Sequence, residues 1–240
     1  MKLLTCKIEC EKVKKIIDNI TCPIWICGGS GVVEGWLGSG TERGEPFKSQ
    51  KGGNAMLEEI IRKWGGHEVS AMQVYTDLFG LGEGLIQRQD EEPGAFKSNP
   101  LGYWKNDGEQ RGHRRILFDD TFEETLKEMQ EADFSIMNGL TYFGKRNAAE
   151  NASKMYAMIF DVDGITDETL NNFLSGAYVS EAYPVPNYVV LSGHNIHLYY
   201  RFEIPIALYP NIKLQLKELK YSLTGKMWNR YTSTEKKVQF

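Results

Sequence analysis

The chain has 240 residues, 41% hydrophobic and 25% charged, which predicts a globular protein with room for one large domain or two small ones. A formal net charge of −4 gives no overall attraction to nucleic acid, so any DNA contact has to use a local basic patch. No apolar run reaches the roughly 18 residues of a membrane span, and Met1-Lys-Leu-Leu-Thr5 is too short an apolar start for a signal peptide. A cytoplasmic protein without a membrane segment is therefore expected.

All cysteines lie early, at Cys6, Cys10, Cys22 and Cys27. In a reducing cytosol they are expected as free thiols, and their spacing is not that of the short C-x₂-C pairs of zinc sites. Glu11 to Ile20 reads as a short helix and Pro23 to Cys27 as a buried strand. Gly28 to Gly53 reads as an extended loop, since Gly28-Gly-Ser-Gly31 lacks the G-K-[ST] ending of a phosphate loop. Asn54 is then expected to cap a helix with Leu57, Ile60, Ile61 and Trp64 on one face, stopped by Gly65-Gly66. Residues 80 to 112 are rich in Gly and Pro and read as loops.

From Arg114 the pattern tightens. Arg115 to Phe118 is a predicted strand, and Thr121-Phe-Glu-Glu124 a capping box opening a helix to Glu131 with a stripe of Phe122, Leu126 and Met129. Leu140 to Phe143 follows. Gly139-x₄-Gly144-Lys145 imitates a P-loop, but Arg146 stands where a Ser or Thr would hold Mg²⁺. Lys145 and Arg146 remain candidates for phosphate contact, or else form a solvated basic turn.

Tyr156 to Asp163 reads as a buried strand. Side chains alternate along a strand, so Asp161 and Asp163 share a face, about 6–7 Å apart. Two carboxylates so placed repel each other unless a cation lies between them, and hard oxygen ligands suit Mg²⁺ or Mn²⁺. The alternative is a pair of acids capping the following turn. Thr166-Asp-Glu-Thr169 opens a helix with acids in its first turn, which Gly176 is expected to end.

Tyr188 to Leu191 and Ile196 to Glu203 read as a hairpin around Ser192-Gly-His-Asn195. On the return strand His197, Tyr199 and Arg201 share one face. Ser192, Gly193, His197 and Arg201 make a candidate anion seat, from turn N–H groups, an imidazole and a guanidinium. Pro210 can begin a helix with Ile212, Leu216, Leu219 and Leu223 on one side. Its Lys213, Lys217, Lys220, Lys226 and Arg230, with Lys236 and Lys237 beyond, form the most basic region. That region is either a solvated face or a track for a nucleic-acid backbone.

The D-x-D strand, followed by S-G-x-x-x-H-L-Y-Y at Ser192 to Tyr200, resembles the archaeo-eukaryotic primase superfamily. It is most similar to primase-polymerase domains in replication proteins of phages and plasmids. The resemblance extends upstream through Arg114 to Thr121 and Leu140 to Arg146, over roughly residues 114 to 240. It implies an α+β fold with a palm-like, mainly antiparallel sheet (an RRM-like core), helices on one face and an N-terminal α/β unit. The expected division is residues 1–112 and a catalytic core at 113–240, C-terminally incomplete. The implied activity is nucleotidyl transfer on a single-stranded DNA template by a two-metal route, with a replicative helicase as a further partner. Asp161 and Asp163 would hold Mg²⁺ or Mn²⁺, and Ser192 and His197 would contact the nucleoside triphosphate. Asn195 replaces a Gly usual in that turn. The family also uses a third carboxylate, yet no Asp occurs after Asp167. Two rivals follow. Ile159 to Thr166 also resembles the opening motif of haloacid dehalogenase-type phosphatases, with Asp161 as nucleophile and Asp163 as acid/base. The missing acid would also suit a non-catalytic, nucleic-acid-binding primase remnant.

Overall fold

The computed structural model describes residues 5–6, 53–80, 98–191 and 195–235. The expected helix at Glu11–Ile20, the strand at Pro23–Cys27, the loop after Gly28, three of the four cysteines, Ser192, Gly193, Lys236 and Lys237 lie outside the described residues.

In chain order, β1 (Thr5–Cys6) pairs antiparallel with β2 (Glu68–Val69), on either side of helix α1 (Gly53–Lys63). Helix α1 buries Leu57 and Ile61 as the apolar spacing predicts. Trp64, just beyond it, stacks on Tyr178 at 5.5 Å and donates its indole N–H to Asn171 Oδ1 at 3.0 Å. Helix α2 (Ala71–Phe79), not among the expected elements, has full start and stop signals. Ser70 Oγ accepts from the Gln73 N–H at 3.1 Å, and Gly80 closes the far end.

Within the Gly- and Pro-rich stretch read as loop, Leu101–Lys105 instead forms strand β3. It pairs with β4 (His113–Ile116), which starts two residues before the predicted strand, and with β5 (Phe134–Ile136). Strand β3 is held by tertiary burial, Leu101 and Trp104 being enclosed, so flanking turn residues did not prevent it. Helix α3 (Phe122–Glu131) buries Phe122, Leu126 and Met129, the predicted stripe. The capping box is a correction: Thr121 makes no side-chain cap, and its hydroxyl turns back to Phe118.

The second sheet holds β6 (Leu140–Tyr142), β7 (Ala152–Val162), β8 (Tyr188–Leu191) and β9 (Ile196–Ala207) in the order β6-β7-β9-β8, every neighbour antiparallel. A 3₁₀ turn, Ala149–Asn151, leads into β7. Strands β7 and β8 run the same way with β9 between them. Helix α4 (Asp167–Tyr178) makes that split crossover, and α5 (Pro210–Met227) follows β9. Helix α4 opens on the predicted signal, with Thr166 and Thr169 capping reciprocally. It does not stop at Gly176. Gly176 lies inside the helix, where its missing Cβ leaves room for the Tyr183 hydroxyl.

The expected α+β architecture with a mainly antiparallel sheet is what the chain forms. One sheet face, with Met158, Phe160, Val189, Leu198 and Tyr200, packs on α1, α4 and α5. The other, with Ile159, Tyr188, Val190 and Tyr199, is partly covered by α2 and α3. Alternation along β7 sends Met158 and Phe160 to the first core and Ile159 to the second, with a register shift between Met155 and Ala157 in its ladder to β9.

Candidate functional site

Strand β7 carries Asp161 at its C-terminal end, and the register of the sheet sets it directly opposite His197 on β9, which in turn faces Val190 on β8. His197 Nε2 lies 3.4 Å from Asp161 Oδ1. Alternation puts the neighbours Phe160, Val162, Ile196 and Leu198 on the helix-covered side. Asp161 and His197 therefore stand on the half-open face. The Asp161 side chain is 62% exposed and that of His197 33%, so this is the floor of a cleft rather than a closed chamber.

The electrostatics are those of a carboxylate short of positive charge. Crowding by protein atoms pushes the Asp161 pKa up, facing His197 pulls it part of the way back, and the Asp163 carboxylate pushes it up again. Asp163 is the first residue past β7, followed by Gly164 at φ +66°. Beside Asp161 and His197, though not lined by Asp163, opens a cavity of about 280 Å³ between the sheet face and the α3–β5 wall, touched also by Tyr199, Ile159, Asn138 and Gln130. A larger cavity of about 440 Å³, mostly apolar, lies at the other end of β7 against Met155, Leu208 and Leu214. It has no carboxylate pair and is remote from the acids.

The donor set suits a hard divalent cation that shares its coordination sphere with water and phosphate oxygens. Among the described residues no three His, Cys, Asp or Glu side chains are grouped as a metal site. The next helix is capped by Thr166 rather than by either acid.

Other residues singled out by sequence are not brought to this point. Arg201 lies opposite Ala157, four residues from His197 and so about 13 Å along the strand, where Asn187 Oδ1 accepts from its backbone N–H. Lys145 and Arg146 sit in the exposed turn after β6, next to the N-terminal end of β7 and about 30 Å from Asp161 along that strand. The basic helix α5 packs Leu216, with Ile212, Leu219 and Leu223, on the sheet face opposite to Asp161 and His197. Sequence reading missed the contributions of Asn138 and Gln130 to the cleft wall. It also missed the C-terminal segment that reaches the Asp163–Gly164 turn, where Ser233 Oγ donates to the Asp163 carbonyl at 2.7 Å. No local pattern marks those residues, because their neighbours are made by the fold alone.

No family model matches this chain, and no curated protein does. Among solved structures it is similar to the AEP domain of the cyanophage S-2L primase-polymerase, at 16% identity and a TM-score of 0.38, over 65% of this chain and 77% of that one. A likeness at that level bears on neither site nor activity, and the account of both rests on the geometry above.

Proposed function

We propose that this chain is a primase-polymerase-type nucleotidyltransferase core that binds a divalent cation and a nucleoside triphosphate at the β7–β9 end, acting on a single-stranded DNA template. The observation that carries the reading is the direct cross-strand pairing of Asp161 with His197, which joins the two sequence motifs at one cleft. Asp161 and Asp163 hold Mg²⁺ or Mn²⁺, whose chemistry is to neutralise triphosphate oxygens and activate the attacking 3′-oxygen. His197, its Nε2 facing Asp161, turns its other ring N–H to a phosphate oxygen of the nucleotide. Asp161 beside it keeps the ring oriented. Ser192 and Gly193 are assigned to the same triphosphate on the resemblance of their motif. The arrangement of Arg201, Lys145 and Arg146 suits contacts to nucleic acid away from the metal better than contacts to the nucleotide.

Titration of the purified chain with Mn²⁺ and a nucleoside triphosphate tests this. Both ligands should bind, and Asp161→Ala with Asp163→Ala should abolish cation binding; equal affinity in the double variant rejects the proposal. Hydrolysis of a small phosphate ester, lost in Asp161→Asn, would instead favour the phosphatase reading.

A further inference from the structure

Past α5 the chain turns back on itself. Thr232 Oγ1 donates to the Met227 carbonyl at 2.5 Å, the Asn229 N–H donates to Thr232 Oγ1 at 3.0 Å, and Asn172 of α4 donates to the Tyr231 carbonyl at 3.1 Å. This knot delivers the next residues onto the turn that ends β7. Ser233 Oγ donates to the Asp163 carbonyl at 2.7 Å and accepts from the Glu235 N–H at 3.1 Å. The Thr234 N–H and hydroxyl both donate to the Gly164 carbonyl, at 2.9 and 3.0 Å. Ser233 is 2% exposed, and a Cβ on Gly164 would stand 2.6 Å from Thr234 Oγ1 and 2.9 Å from the Glu235 nitrogen. The backbone of Asp163 is therefore fixed by side chains 70 residues downstream in the sequence.

We infer that Ser233 and Thr234 form a clasp that positions Asp163 for the cation, a positioning role that rests on the metal reading of Asp161 and Asp163. The physical reason is the accuracy a cation demands of its ligands. A carboxylate on the first residue beyond a strand has no ladder to hold it, and ligand atoms must be kept within about 0.5 Å of a productive geometry. Ser233 and Thr234 satisfy the two carbonyls that flank Asp163 on its C-terminal side, and so take the place of the missing ladder. Because binding linkage is reciprocal, a cation that needs the clasp closed must also tighten it.

Two measurements on the full chain test this. The first is Mn²⁺ affinity by calorimetry. Ser233→Ala should weaken binding about tenfold, as loss of a residue supporting a metal ligand does. Asn172→Ala, which loosens the knot from its exposed side, should weaken it less. The second is hydrogen exchange in the wild-type chain, which needs no variant to fold. Exchange over residues 229–235, including the Thr234 amide, should slow when Mn²⁺ is added, and should not respond in the Asp161→Ala, Asp163→Ala chain. If the wild type binds Mn²⁺ through its acids while Ser233→Ala binds equally well and exchange over 229–235 ignores the metal, the clasp is overturned and the metal site stands. If the wild type binds no Mn²⁺, the metal reading falls and the clasp's positioning role with it.

Discussion

At the scale of single residues, Asp161 separates a working site from a structural ion pair. Burial raises its pKa in the folded chain from the ordinary carboxylate value, His197 offsets part of the rise, and Asp163 adds to it. Between the unfolded and folded values the native state therefore holds more protons than the unfolded one, so stability falls as pH rises through that window. Asp161→Asn should remove this loss. Above the window the variant should melt about 1–2 °C higher than the wild type, a small gain because the exposed side chain is screened by solvent. Below the window the gap should close. Melting curves across pH check it; a variant less stable at neutral pH would mark Asp161 as a partner that the fold needs. Mn²⁺ should reverse the order, stabilising the wild type and leaving Asp161→Asn unmoved. His197→Ala should weaken nucleoside triphosphate binding by about 1.5–3 kcal/mol, the worth of a hydrogen bond to a charged group. Unchanged affinity on titration would make the histidine structural.

At the scale of elements, the site is only as firm as the β7–β9 pair beneath it. Leu198 and Ile196, fully buried, flank His197 on the strand and project into the helix-covered core. Leu198→Ala should cost about 2–5 kcal/mol in chemical denaturation, through lost burial and the cavity left behind. Ladder hydrogen bonds alone, unaided by core packing, would show as a much smaller loss. At the β7 terminus Gly164 serves two needs, a left-handed φ of +66° and room for Thr234 and Glu235. Gly164→Ala should therefore destabilise the chain by more than the roughly 1 kcal/mol of backbone strain alone, and it should expose the 229–235 segment to protease. Resistance equal to that of wild type would show that the segment can shift without cost.

At the scale of the whole molecule, the number of acids limits the chemistry. Nucleotidyl transfer by two metals normally uses a further carboxylate from a neighbouring element, and none is grouped with Asp161 and Asp163 among the described residues. The chain should accordingly bind cation and nucleotide yet synthesise primers poorly, as a template-extension assay would reveal. Of the downstream carboxylates, Glu203 and Glu218 are exposed on β9 and α5, whereas Glu235 arrives at the turn after Asp163, its Cγ 2.9 Å from the place of a Gly164 Cβ. If robust synthesis is measured, Glu235→Gln should remove it; synthesis that survives the change would place the missing acid elsewhere.

Much of this was legible along the chain. Alternation assigned the residues of β7 and β9 to their two faces, since a pleat has a period of two whatever surrounds it, and β8 was legible as an apolar strand. Thr166 with Thr169, and Pro210, announced α4 and α5, because helix ends satisfy their backbone groups locally. Strand β3, the continuation of α4 through Gly176 and the failure of Thr121 to cap were not legible. Strand β3 was decided by the strands beside Leu101–Lys105, whereas Gly176 packs against the Tyr183 ring seven residues on and the Thr121 hydroxyl stays on the Phe118 carbonyl three residues back. The two motifs could be read separately, but only the sheet register set Asp161 across from His197, and only the return of the C-terminal segment set Ser233 on the carbonyl of Asp163. Local patterns carry the period of an element and the chemistry of its ends. Which side chains meet is settled by how faces bury against one another, and that exists only in the folded chain.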